Sequence, residues 1–169
     1  MVNFRRWFRH LFMPPRAWQR AFPQATLDAI ESAVRAAETR HRGEIRFAIE
    51  NSLPPGEVWR GVRGRERALE AFSTLRVWDT EHNSGVLIYL LLADHDIEIV
   101  ADRGIAAKVD AAAWERVAEA MEAAFRRGEF ERGAIEGVAQ VSTLLATHFP
   151  AEASSGENPD ELDNRPVVL

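Results

Sequence analysis

The chain has 169 residues, 46% of them hydrophobic, which is enough to bury the core of one globular domain. It has no cysteine, so disulfides, thiolate metal sites and a cysteine nucleophile are excluded. A formal charge of −5 argues against a nucleic-acid partner for the globular part.

Charge is segregated along the chain. Residues 1 to 20 carry five arginines and no acid, whereas residues 151 to 169 carry five acids against Arg165 alone. In the amino-terminal stretch, Phe4, Trp7, Phe8, Leu11 and Phe12 recur at spacings of three and four between arginines. A short helix there would be amphipathic with a basic polar face, the pattern of a segment lying in the interface of an anionic membrane. Arg5, Arg6, Trp7, Phe8 and Arg9 are the docking candidates, with packing of the aromatics back onto the domain as the alternative. Residues 1–21 are therefore read as a basic aromatic arm, 22–150 as the domain and 151–169 as an acidic disordered tail, by its Ser, Gly, Asn and acid content.

Leu27, Ile30, Val34 and Ala37 give one apolar face to a helix over Gln24 to Arg42, which Pro23 opens and Gly43 closes. A strand follows from Glu44 to Glu50, with Ile45, Phe47 and Ile49 on one side. A second helix spans Arg63 to Arg76. Val86 to Leu92 is wholly apolar, as suits a strand buried on both faces. Asp94-His95-Asp96 then turns the chain into an alternating strand carrying Ile97 and Ile99. Asp110 caps a third helix with Trp114, Val117, Met121 and Phe125 on its buried side. Gly128 ends it, and Phe130, Ala134, Val138, Val141 and Leu145 mark a fourth. Gly133 and Gly137, one turn apart, permit close helix packing. This order favours an α/β fold, a small mixed sheet with a central hairpin between helical layers, over a helical bundle.

Two constellations are candidate sites. The strand face opposite Ile45 and Ile97 gathers Glu44, Arg46, Glu50, Glu98 and Asp102. Burying so many charges is costly, so part of that face is expected to be an open groove for a hard cation or a cationic partner segment, with Arg103 at its end. At the strand ends, Asp79, Asn83 and Asp102 offer oxygen ligands for weak calcium or magnesium binding. The five histidines show no ligand spacing, and no nucleophile elbow or phosphate loop is present.

Trp78 with Asn83-Ser84-Gly85-Val86-Leu87-Ile88 resembles the TPM domain family, as does Phe125-Arg126-Arg127-Gly128-Glu129-Phe130 with Gly133 and Gly137-Val138. The resemblance runs from about Phe22 to Phe149. It implies a three-layer sandwich, and it links the chain to divalent-metal binding, acid phosphatase activity and membrane-complex maintenance. The reading reached is a non-catalytic TPM-type interaction module whose partner is a protein or an anionic membrane surface. The alternative is a metal-dependent phosphatase using Asp79 and Asp102 as ligands and Arg103 as a phosphate clamp. The longest apolar run is Gly85 to Ala93, too short for a membrane span, and Pro14-Pro15 cuts off any secretory leader. A cytoplasmic location, peripheral on the inner membrane, is expected.

Overall fold

The computed structural model describes residues 3–151 and 161–169. In chain order the elements are α1 (Phe4–Leu11), α2 (Ala17–Ala21), α3 (Gln24–Glu38), β1 (Glu44–Glu50), α4 (Pro55–Trp59), α5 (Gly64–Thr74), β2 (Gly85–Leu91), β3 (Asp96–Ala101), α6 (Arg103–Ala106), α7 (Ala111–Arg126), α8 (Phe130–His148) and β4 (Val167–Val168). The strands form one mixed sheet in the order β3-β2-β1-β4. β1 lies parallel to β2, and β2 antiparallel to β3.

β2 is buried at every position because helices cover both sides of the sheet. Ile45, Phe47, Ile49, Val86, Ile88, Leu90, Ile97 and Ile99 face the α3, α7 and α8 layer, where Ile30, Trp114, Met121, Phe125 and Val141 meet them. Ala48, Leu87, Tyr89, Leu91 and Val100 face the other way, against Ala68 and Ala71 of α5 and Val58 of α4. Leu87 and Ile88 thus lie in separate cores, as the two-sided reading of that strand requires. The β2–β3 connection is a single 3-10 turn over Leu92–Asp94, closed by His95 in the left-handed region at φ 52°. Asp110 caps α7 by accepting the Ala112 N–H.

Glycine is required where backbones meet. A Cβ at Gly85 would come within 2.0 Å of the Val77 carbonyl oxygen, so β2 can start there only because no side chain is present. At Gly137 the neighbour is the Met121 sulfur, at 2.3 Å, which confirms the close α7–α8 packing expected from the glycine spacing.

Two expectations are corrected. The carboxy-terminal stretch is not uniformly disordered: residues 161–169 pack on the domain, burying Leu162 and Asn164, and β4 adds to β1 in parallel. Residues 152–160 of that expected tail lie outside the described residues. The charged strand face is closed over Glu44, Arg46 and Glu50, which α5 and the carboxy-terminal segment cover, whereas Glu98 lines an open cavity with Gly64, Arg65 and Asp96.

Candidate functional site

At the strand ends, Asp102 follows β3 and caps α6. Its Oδ1 accepts the Arg103 N–H at 2.7 Å, while Oδ2 is buried without a hydrogen-bond partner among the described residues. Arg103 Nε donates to Asn83 Oδ1 at 3.2 Å. Gly104 presses against the carbonyls of His82 and Asn83, which locks this turn to α6. Asn83, Asp102 and Arg103 are therefore brought together. Asp79 is not part of that contact; it is exposed and pairs with Arg76 at 3.1 Å. Among the described residues no group of three His, Cys, Asp or Glu side chains could hold a metal ion. The donors form no preformed cage: one carboxylate oxygen is free, and the Asn83 oxygen already accepts from Arg103.

The charged face solves its burial problem by pairing. Arg67 Nε donates to both oxygens of Glu50, at 2.9 and 3.1 Å, and the Tyr89 hydroxyl donates to Glu50 at 2.6 Å. Burial first, and then the Glu50 contact, push the Tyr89 phenol far above its usual range. Glu44 accepts the Leu162 N–H at 3.3 Å, and Arg46 donates to the carbonyls of Asp163 and Arg165. Glu98 pairs with Arg65 at 3.4 Å, and burial, with Asp96 beside it, raises its carboxyl above the ordinary value. The segment held by Glu44 and Arg46 is thus the chain's own acidic carboxy-terminal stretch.

The arm is helical as its periodicity suggests, and it docks by its polar side together with Trp7, which packs against the α5-side core. Asp94, in the β2–β3 turn, receives Arg6 Nε at 2.8 Å and the Arg9 guanidinium, and His10 Nε2 lies 3.2 Å from the same carboxylate. The Leu53 N–H donates to His10 Nδ1 at 3.0 Å, which places the ring proton on Nε2, facing Asp94. Burial opposes ionisation of Asp94, but the His10, Arg6 and Arg9 donors outweigh it and hold the carboxyl well below the usual range. Trp7 Nε1 donates to the Pro55 carbonyl at 3.2 Å.

The aromatics point outward as a result. Phe4, Phe8 and Phe12 are 60%, 49% and 72% exposed, with Leu11 beside them. Phe8 stacks on Phe12, and Phe4 meets the exposed Trp59 of α4 edge-on. At about 100° per residue these four positions form one stripe, flanked by Arg5 and Arg9 on one side and by Trp7 with Trp59 on the other. Asp94 escaped the sequence reading because nothing local distinguishes a turn aspartate from one that three arm residues will meet.

A mixed sheet between helical layers gives an α/β sandwich of the TPM type. The TPM domain model matches residues 19–144, most of the chain, and the protein belongs to that family. The solution structure of the BA42 protein from the psychrophilic bacterium Bizionia argentinensis is 29% identical and superposes with a TM-score of 0.73, covering 86% of this chain and 93% of that one. Comparison with curated proteins gave no match. Among the described residues no helix is long and apolar enough to cross a membrane.

Proposed function

We propose that this TPM domain is a non-catalytic interaction module that docks on an anionic membrane surface, at the inner face of a bacterial membrane, through α1. The observation that carries the reading is the inverted seating of that helix. Arg6 and His10 face the domain, while Phe4, Phe8, Leu11 and Phe12 face water. A contiguous aromatic stripe left in water is unfavourable and marks a surface that another phase or partner covers. Exposed Arg5 beside it supplies attraction to anionic headgroups of the kind a shallowly inserted helix uses.

The test is sedimentation with phosphatidylglycerol vesicles, with phosphatidylcholine vesicles as the neutral control. The wild type pellets with the anionic vesicles. The Phe4→Ser, Phe8→Ser, Phe12→Ser triple variant stays in the supernatant with an unchanged thermal midpoint. A wild type that stays in solution, or a variant that pellets equally, overturns the reading.

One further observation favours a minor second activity, weak divalent-cation binding at the strand ends. The buried Oδ2 of Asp102 has no hydrogen-bond partner among the described residues, and Asn83 lies on the other side of Arg103. Calorimetric titration of calcium and magnesium into the wild type and Asp102→Ala tests this. A phosphate-ester assay run alongside bears on the phosphatase alternative. The expected result is a weak heat lost in Asp102→Ala and no turnover. Metal-dependent turnover that disappears in the variant would promote the hydrolase instead.

A further inference from the structure

The outer edge of β1 is covered by the chain's own last residues, held in the manner of a peptide added to a sheet. Ala48 pairs with Val167 and Ile49 with Val168, in parallel, and the Leu169 N–H donates to the Ile49 carbonyl at 2.9 Å. Upstream, Arg46 grips two carbonyls, those of Asp163 and Arg165, and Glu44 takes the Leu162 N–H. Glu161 accepts the Glu81 N–H at 3.1 Å. Two side chains of the segment also take part, Glu161 and the Asp163 carboxylate, which lies 3.4 Å from Arg46; the other bonds engage its main chain. Its apolar anchors are Leu162, buried in the α5-side core, and Val167, packed against that core.

Main-chain bonds supply affinity without demanding a sequence, and side-chain pockets at set spacing supply selectivity; strand addition works in this way. The resident strand is short. It pairs with only Ala48 and Ile49 of a seven-residue strand; nearer Glu44 the segment leaves the ladder, the Ile45 N–H donating instead to Glu38 Oε1 at 2.9 Å, and is held there by Arg46 and Glu44. Residues 161–169 also lie beyond the residues matched to the family, whereas β1, Glu44 and Arg46 lie within them.

We propose that the β1 edge, with Arg46, Glu44 and the pocket under Leu162, is a peptide-binding groove. It takes an extended segment of a partner protein with an apolar anchor and, five residues later, a β-branched one. Residues 161–169 are its built-in competitor. A tethered competitor acts at an effective concentration of about millimolar, so a partner must exceed that threshold to enter.

The test uses a fluorescein-labelled peptide with the sequence of residues 161–169 and the full-length chain, read by fluorescence anisotropy. Val167→Asp in the chain expels the resident segment, so the peptide should bind that variant on the order of tenfold or more tighter than the wild type. Adding Arg46→Ala to Val167→Asp should abolish the gain. Leu162→Ser, a second change confined to the competitor, should reproduce it, and thermal melts of both variants report whether the domain stays folded. Equal binding by the wild type and both folded variants overturns the proposal, as does binding indifferent to Arg46. Light scattering decides the source. A concentration-dependent wild-type dimer that the peptide dissolves would hand the groove to a second copy's tail and overturn the assignment to a foreign partner.

Discussion

His41 should make this protein lose stability as pH falls from about 6.5 towards 4. The residue sits where α3 gives way to β1, bridged to Pro150 and fully buried. Its Nδ1 lies 2.9 Å from the Gly43 carbonyl, so that nitrogen carries the proton and donates. The other nitrogen, Nε2, is buried with no partner among the described residues. Protonation would therefore place a charged N–H where nothing accepts it. Burial is the largest cause of the shift. The Gly43 contact opposes it, the Arg40 charge adds to it, and the imidazole is lowered from 6.5 to about 4.

The sign follows from proton counting. Between about 4 and 6.5 the unfolded chain takes up a proton at His41 and the native chain does not. The unfolded state then binds more protons, so stability declines as pH drops through that window and levels off below it. At about 1.4 kcal/mol per pH unit the full loss is roughly 3 kcal/mol, of which about 2 is spent by pH 5. That is a large share of the 5–15 kcal/mol typical of a domain.

Urea unfolding of the wild type and His41→Asn across pH 7 to 4.5 measures it. Asparagine keeps a donor near the Gly43 carbonyl and cannot titrate. Carboxylates such as Asp94 act alike in both proteins, so the difference between the two curves isolates the imidazole. The wild type should lose about 2 kcal/mol relative to the variant between pH 7 and pH 5. A difference independent of pH would refute the reasoning.

Ile88→Ala, in the middle of the doubly covered strand, should cost roughly 2–5 kcal/mol, and an unchanged thermal midpoint would remove that strand from the core. Gly85→Ala should destabilise more than Gly137→Ala, because the added methyl meets the Val77 backbone in one case and the flexible end of Met121 in the other; parallel melts rank them. Asp94→Asn should loosen α1 while leaving the global melt nearly unchanged, seen as faster tryptic cleavage after Arg5, Arg6 and Arg9. Cleavage at the wild-type rate would show that the Trp7 and His10–Leu53 contacts hold the arm without Asp94.

The hairpin was legible because its signals are local: an unbroken apolar run, a turn of Asp-His-Asp, then alternation. The helix caps at Asp110 and Gly128 were legible for the same reason. What escaped depends on distant partners. The charged strand face was expected to stay open because unpaired buried charges are too costly. The structure buries Glu50 by bringing Arg67 from α5 and the Tyr89 hydroxyl from β2 to the same carboxylate. Nothing in Glu44 to Glu50 announces those partners. β4 is only two residues long and sits behind acid-rich sequence. Its signal was present nonetheless: Pro166 followed by Val167-Val168-Leu169 is an apolar, β-branched run that an acidic tail does not need. At the strand ends, Asp102, Asn83 and Arg103 come together because Gly104 lets α6 seat against the Asn83 turn, whereas Asp79 turns to a local arginine.

The two chain ends are attached by different chemistry, and that difference bears on what each can do. α1 is held mainly through one buried carboxylate that gathers Arg6, Arg9 and His10, so its apolar side stays free. A helix that packed by its aromatics would have nothing left to offer a membrane. The carboxy-terminal segment is held through its main chain, the Glu161 and Asp163 carboxylates and the apolar contacts of Leu162, Val167 and Val168, which is the pattern the proposed partner segment would have to match. Between them the family-matched residues supply a rigid sheet with both faces filled. α1 turns the β2–β3 end of that sheet into a surface with exposed aromatics, and the last residues turn the β1 edge into a guarded groove. On the proposed readings neither surface requires a reacting group, so the two chain ends would offer partners two physically distinct places.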